Sequence, residues 1–215
     1  DEARLVAEAL VRANLAGCDS HGIMRLPQYL AKIEAGQIVP GAPVEIVRET
    51  PATAVLDGHW GFGQVAAARA AEIAIVKARE VGLAGVSGRH CNHVGALADY
   101  VMTAAEAGLI GLMFVNGHGG AHNTVPWGGA DRRLCTNPMA AGFPTGAEPI
   151  VLDISTSAVA EGKVRTYRMR GQTVPDHWLV DSEGRATNDA NVLYTKPQGA
   201  LLPLYTRIYG LRKRL

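Results

Sequence analysis

Cysteine is scarce in this chain. Cys18, Cys91 and Cys135 are the whole supply in 215 residues, an odd number with no C-x-x-C spacing. That excludes a disulfide framework as the organising device and points to a reducing compartment, so a cytoplasmic location is expected. Long apolar runs are absent too. No stretch approaches the ~20 residues that a membrane-spanning helix needs, and no secretory leader is visible from Asp1 onward. Neither sign of charge dominates: 21 Lys and Arg face 20 Asp and Glu. The one basic cluster, Arg212, Lys213 and Arg214, is of the kind that is usually solvated. Nothing here recommends a nucleic-acid or membrane partner. G-x-G-x-x-G is missing, which removes the Rossmann fingerprint, and so is H-E-x-x-H, the zinc-protease helix signature.

What is present is globular. Hydrophobic residues make up 47% and charged residues 19%, enough for a substantial core in one large domain or two small ones. Residues 3–16 repeat apolar side chains at helical spacing (Leu5, Val6, Ala9, Leu10, Ala13, Leu15), with Gly17 as the stop. Asp19 and Ser20 suit the N-cap of a second helix, whose buried stripe would be Ile23, Leu26, Leu30 and Ile33. Short strands are predicted at 44–47 and 54–56, then an Ala-rich helix over 64–81 closed by Gly82. A strand at 83–87, a helix over 95–107, strands at 109–115 and 150–154, and a loop rich in Gly and His at 116–131 complete the pattern. The alternation over 64–115 argues for an α/β fold.

Histidine carries the first chemical hints, because its ordinary pKa lies near neutrality. His21 stands at the start of the second predicted helix. The positive end of a helix dipole there would favour the neutral imidazole, a base for a substrate hydroxyl. Arg25 and Tyr29 follow at intervals of four, on the same helical face. A guanidinium beside an imidazole suits a carboxylate substrate, which it can grip with two hydrogen bonds. The plainer alternative is a capping segment with a solvent-facing arginine. His93, in Arg89-His90-Cys91-Asn92-His93-Val94-Gly95, falls between a strand end and a helix start, where ligands of α/β sheets collect. The alternative is a loop histidine beside a glycine turn.

Other constellations are weaker. Asn116-Gly117-His118-Gly119-Gly120-Ala121-His122 could turn backbone N–H groups towards a phosphate, although an irregular loop explains it as well. His90-x-x-His93 and His118-x-x-x-His122 have spacings that zinc sites use, so a zinc-dependent hydrolase is a rival reading. The glycines at 117, 119 and 120 oppose the helix that the second pair would need. Ser155-Thr156-Ser157, after Asp153, could meet a ribose or a phosphate, or could simply cap a helix.

Taken in order, several segments resemble one family. They include Gly17-Cys18-Asp19-Ser20-His21-Gly22, Gly63-Gln64-Val65-Ala66-Ala67, Asn92-His93-Val94-Gly95-Ala96 and Val125-Pro126-Trp127-Gly128-Gly129. Thr136-Asn137-Pro138, Leu152-Asp153-Ile154-Ser155-Thr156-Ser157, Gly162-Lys163, Val174-Pro175 and Gly199-Ala200-Leu201-Leu202-Pro203 continue the series. Together they resemble the type 2 malate/L-lactate dehydrogenase family, which also holds hydroxycarboxylate dehydrogenase B and ureidoglycolate dehydrogenase. The resemblance covers roughly residues 4–204. It implies an α/β fold that binds NAD or NADP without a Rossmann fold, a homodimer, and hydride transfer between that cofactor and a small 2-hydroxy or 2-keto acid. It implies His93 and His21 as catalytic residues, with Arg25 on the substrate carboxylate and Tyr29 beside it. It implies cofactor contacts at Ser20, Gly95, Ala96, Leu97, Gly117 and Asn137, and at the strand end Leu152, Asp153, Ile154, Ser155 and Thr156. No metal is expected.

The expected layout is an N-terminal helical, substrate-side segment over 1–60 and a cofactor-binding α/β region over 61–204. Past Pro203 the family pattern continues with a Lys-Gly-Tyr-Gly-Leu type segment. Residues 205–215 depart from it, so the chain is expected to be truncated at both ends. An inactive fragment is therefore the third reading.

Overall fold

The computed structural model describes residues 2–117 and 122–204; the tail at 205–215 and His118 fall outside them. The chain forms two compact units, one of residues 1–113 and 140–153, the other of residues 114–139 and 154–215.

The first unit opens with α1 (Glu2–Leu15), which buries Val6, Ala9, Leu10 and Ala13. The expected second helix is broken. Two 3-10 turns, Asp19–His21 and Ile23–Arg25, precede α2 (Leu26–Glu34). Asn14 causes the break: its side chain donates to Asp19 Oδ1 (2.6 Å) and accepts from the Ile23 N–H (2.8 Å). Gly22 lies so close that any Cβ would collide with that amide. Asp19 and Ser20 therefore do not cap, contrary to expectation. The expected stripe is also corrected. Ile23 is 55% exposed and Leu30 53%, while Tyr29 is 3% exposed. Tyr29 packs with Val6, Leu10 and Ile38, and Phe62 meets its ring edge-on.

β1 (Glu45–Glu49) runs antiparallel to β2 (Thr53–Asp57), and β2 runs parallel to β3 (Gly85–Arg89), with Leu56 opposite Gly88. α3 (Gly63–Val81) makes the crossover that a parallel pair requires. It ends at Gly82, whose φ of +89° is cheap only for glycine. Ala54, Leu56 and Ile73 form the core here. α4 (Ala98–Glu106) starts later than predicted, because Gly95 takes a φ of +81° and cannot be helical. β4 (Gly111–Phe114), β5 (Met139–Phe143) and β6 (Ile150–Ile154) form a sheet in that order. β5 escaped prediction because Met-Ala-Ala-Gly-Phe holds no β-branched residue. Its Gly142 lies against the Val101 carbonyl of α4, where a Cβ would clash.

The second unit holds α5 (Glu161–Met169) and a small sheet in which β7 (Leu179–Val180) lies between β8 (Ala186–Thr187) and β9 (Ala200–Leu201). Strands of two residues carry no periodicity to read. Val164, Leu179 and Leu201 are fully buried and anchor its core.

Close approach at Gly63 positions the segment that follows β3. A Cβ there would collide with the carbonyl groups of Asn92 and His93. Gly63→Ala is expected to cost about 1–3 kcal/mol, the range for overpacking a tight contact. Urea denaturation measures it; an unchanged midpoint would show that the segment yields freely.

Candidate active site

The loop carrying His93 leaves β3 and is tied at two points. Asn92 Nδ2 donates to the carbonyl oxygens of Trp60 (2.7 Å), Gln37 (3.0 Å) and Gly61 (3.2 Å). The Asp57 carboxylate, at the end of β2, accepts from the His59 N–H and from Arg89 Nε, both at 3.0 Å, and pairs with His90 Nδ1 at 2.9 Å. The His59 N–H is the main reason its carboxyl sits at about 2, with His90 and Arg89 assisting against burial.

His21 and His93 come together although 72 positions separate them in sequence. Their rings stack with centroids 5.4 Å apart and planes 20° off parallel. Each has its Nδ1 engaged. Ser20 Oγ lies 3.0 Å from His21 Nδ1, and the Tyr29 hydroxyl lies 2.6 Å from His93 Nδ1. Gln64 Nε2 donates to the same hydroxyl at 2.9 Å. Tyr29, expected beside the substrate, thus directs its polar end at His93. Arg25 donates from Nε to the Ser20 carbonyl (2.6 Å) and from Nη1 to Gln28 Oε1 (2.9 Å).

Both imidazoles are pushed towards the neutral form. Burial lowers the His21 pKa most, then the Arg25 charge, while Asp153 opposes them. Burial holds His93 well below its ordinary value, and Arg25, His21 and Lys32 add to the effect. The helix dipole expected at His21 is not the cause, because only a three-residue 3-10 turn lies there. Burial also raises the Tyr29 hydroxyl, keeping it protonated.

The remaining expected positions fall in two groups. In the first unit, Asp153 at the end of β6 accepts the Ala98 N–H at 2.9 Å, capping α4 just after Gly95, Ala96 and Leu97. Leu97 is buried there, while Leu152 and Asp153 are exposed. In the second unit, the Gly117 N–H donates to Asn137 Oδ1 at 3.1 Å. Thr156 Oγ1 donates to the carbonyls of Thr136 (2.9 Å) and Asn137 (3.1 Å). Asn137 holds a φ of +36°, a strained conformation that asparagine tolerates best after glycine. Ser155 Oγ turns to the Ser157 carbonyl, so this run closes on itself and does not cap α5, which begins after Ala160. Ile154, half-buried, ends β6.

Gln64 and Asn92 went unassigned from the sequence. A glutamine on the buried side of an alanine-rich helix was the available signal. The zinc pairs find no support: His90 turns to Asp57 and His93 to Tyr29, and His122 is exposed. Among the described residues no three His, Cys, Asp or Glu side chains converge as a metal site. No described helix is long and apolar enough to cross a membrane.

The chain matches the family model described as malate/L-lactate dehydrogenase over residues 1–213. It is 40% identical over 204 residues to a malate dehydrogenase of Pyrococcus abyssi, covering 95% of this chain and 55% of that protein. It is 39% identical over 202 residues to hydroxycarboxylate dehydrogenase B of Escherichia coli O157:H7, covering 94% and 56%. A solved structure titled as a putative malate/lactate dehydrogenase from E. coli superposes with a TM-score of 0.89 at 36% identity, over 99% of this chain and 60% of that one. The chain therefore shares the α/β fold of these proteins and spans little more than half their length.

The depressed histidines make stability depend on pH. An unfolded histidine titrates near 6.5, the folded His93 well below. Well above pH 6.5 neither state is protonated and the full stability is present. As pH falls further the unfolded chain takes up the proton first, and stability drops until the folded pKa is reached. Between about pH 7.5 and 5, chemical denaturation should show a larger loss for the wild type than for His93→Gln. Equal losses would mean that the folded ring protonates normally.

Proposed function

The chain belongs to the malate/L-lactate dehydrogenase family, and on that premise we propose that it transfers a hydride between NAD or NADP and a small 2-hydroxy or 2-keto acid. The observation that carries the reading is the stacked His21–His93 pair, held neutral by burial and flanked by the Arg25 charge. A neutral imidazole is what a hydroxyl proton needs, and a nearby guanidinium is what a carboxylate needs.

The residues fit a nicotinamide dinucleotide. Asp153 is an exposed carboxylate whose Oδ1 has no partner among the described residues, a good acceptor for a sugar hydroxyl. The main chain of Gly95, Ala96 and Leu97, with Ser20 and Leu152, would serve the same group. Gly117, Asn137, Ile154, Ser155 and Thr156 of the second unit offer amide and hydroxyl groups of the kind that a dinucleotide takes. The bound cofactor supplies the hydride acceptor or donor.

In oxidation, Arg25 holds the substrate carboxylate and His93 Nε2 takes the hydroxyl proton while the carbonyl forms. His21 orients the substrate or shares that proton. In reduction the protonated His93 returns it to the new hydroxyl. Tyr29 acts on the substrate through His93. A homodimer in the full-length protein belongs to the same proposal.

Purified protein assayed against a panel of 2-hydroxy acids, following nicotinamide reduction by absorbance, tests the reading. His93→Ala should lower turnover about 10²–10⁴-fold; unchanged turnover would move the role to His21. Arg25→Ala should reduce kcat/KM on carboxylate substrates by roughly 10–100-fold, the loss of a charged hydrogen-bonded grip. Stoichiometric zinc that leaves together with activity would favour the hydrolase instead.

A further inference from the structure

Gln64 lies in the first turn of α3 and is 1% exposed. Its Nε2 is used on Tyr29, yet its Oε1 is buried without a hydrogen-bond partner. Buried polar atoms are nearly always paired, so an orphan on a side chain two hydrogen bonds away from His93 calls for a reason.

The proton directions supply one. The Tyr29 hydroxyl has a single proton. With Gln64 Nε2 donating to its oxygen, that proton points to His93 Nδ1. A neutral His93 then carries its own proton on Nε2. In this tautomer Nε2 has no lone pair for a substrate hydroxyl.

We propose that Gln64 is a positioning residue whose side-chain amide turns through half a rotation, offering Oε1 to Tyr29 and reversing the relay so that His93 Nδ1–H donates and Nε2 is left as the base. The amide's two ends are alike in size, so the exchange needs no repacking. Each orientation leaves one amide atom unpaired, so neither is strongly preferred. Gly95 leaves room beside it: a Cβ there would sit 3.7 Å from Gln64 Cγ and 3.9 Å from Nε2.

The reversed relay serves the whole cycle. One proton moves from substrate hydroxyl to Nε2, giving an imidazolium whose Nδ1–H still donates to Tyr29. Reduction starts from that imidazolium and returns to the same tautomer. Both directions of reaction thus need Oε1 facing Tyr29, and the opposite orientation is a resting state. The inference rests on His93 being the proton-transferring group.

Nitrogen-15 NMR of histidine-labelled protein reads the tautomer directly and needs no turnover. The His93 signals are identified by their loss in His93→Gln. Gln64→Met removes the acceptor, leaving Nδ1 as the Tyr29 proton's partner, so His93 should rest wholly in the Nε2–H tautomer. Gln64→Glu supplies an acceptor in the same place and should shift it to Nδ1–H. Nε2–H in Gln64→Met together with a shift to Nδ1–H in Gln64→Glu supports the relay; Nδ1–H in Gln64→Met, or no shift in Gln64→Glu, overturns it. If Gln64→Met does not fold, Gln64→Glu alone decides by the presence or absence of its shift. Gln64→Met should also lower kcat in both directions about 10²–10⁴-fold. Absence of dehydrogenase activity in the wild type would refute the proposed function and leave the tautomer result standing.

Discussion

The Tyr29 hydroxyl is shared between His93 Nδ1 at 2.6 Å and Gln64 Nε2 at 2.9 Å, and the first unit is built around keeping it there. The ring is buried against Val6 and Leu10 of α1 and Ile38, so the packing of α1 and α2 sets where the phenol ends. Gln64 comes from α3, and Gly63 beside it lets the His93 segment approach to contact. Three helices and one loop therefore converge on one oxygen. A fully buried side chain of this size is worth on the order of 1.5–3 kcal/mol, comparable with the tightest charged hydrogen bonds. Apolar packing thus fixes the polar geometry, and the Tyr29 hydroxyl cannot drift without opening the core.

Burial also sets the electrostatics. A histidine pair with an arginine beside it would repel strongly if protonated. The same low-dielectric surroundings that raise that cost keep both rings neutral. Arg25 adds its charge to the effect of burial on both rings. Its hydrogen bonds to the Ser20 carbonyl and Gln28 tie it to the backbone segment that carries His21. Arg25 and His21 are in this way coupled within a few residues of one broken helix.

That broken helix shows where sequence and structure part. Spacing of four placed His21, Arg25 and Tyr29 on one face, which assumed a continuous helix. Asn14 interrupts it from another element through two hydrogen bonds, and no pattern within residues 19–34 encodes that. The apolar stripe failed at Ile23, Leu26 and Leu30 for the same reason, while Ile33 packs with Tyr29 as expected: once the first turn changes, the buried face rotates to Tyr29 and Ile33. The crossover of β2, α3 and β3 was legible because a long alanine-rich run closed by Gly82 has one stable reading. β5 and the two-residue strands were not, since they lack β-branched residues or length.

By itself the sequence determined the element types of its long periodic segments, the neutrality of its charge balance and the ordered motifs around His21 and His93. These are local properties, set by side-chain periodicity and backbone preference over a few residues. The tertiary structure decided that the two histidines stack, that the Tyr29 hydroxyl meets His93, and that Gln64 donates to the same hydroxyl. Those contacts join positions 29, 64 and 93, and only the burial that folds distant segments together gives such a triplet a shared hydrogen bond.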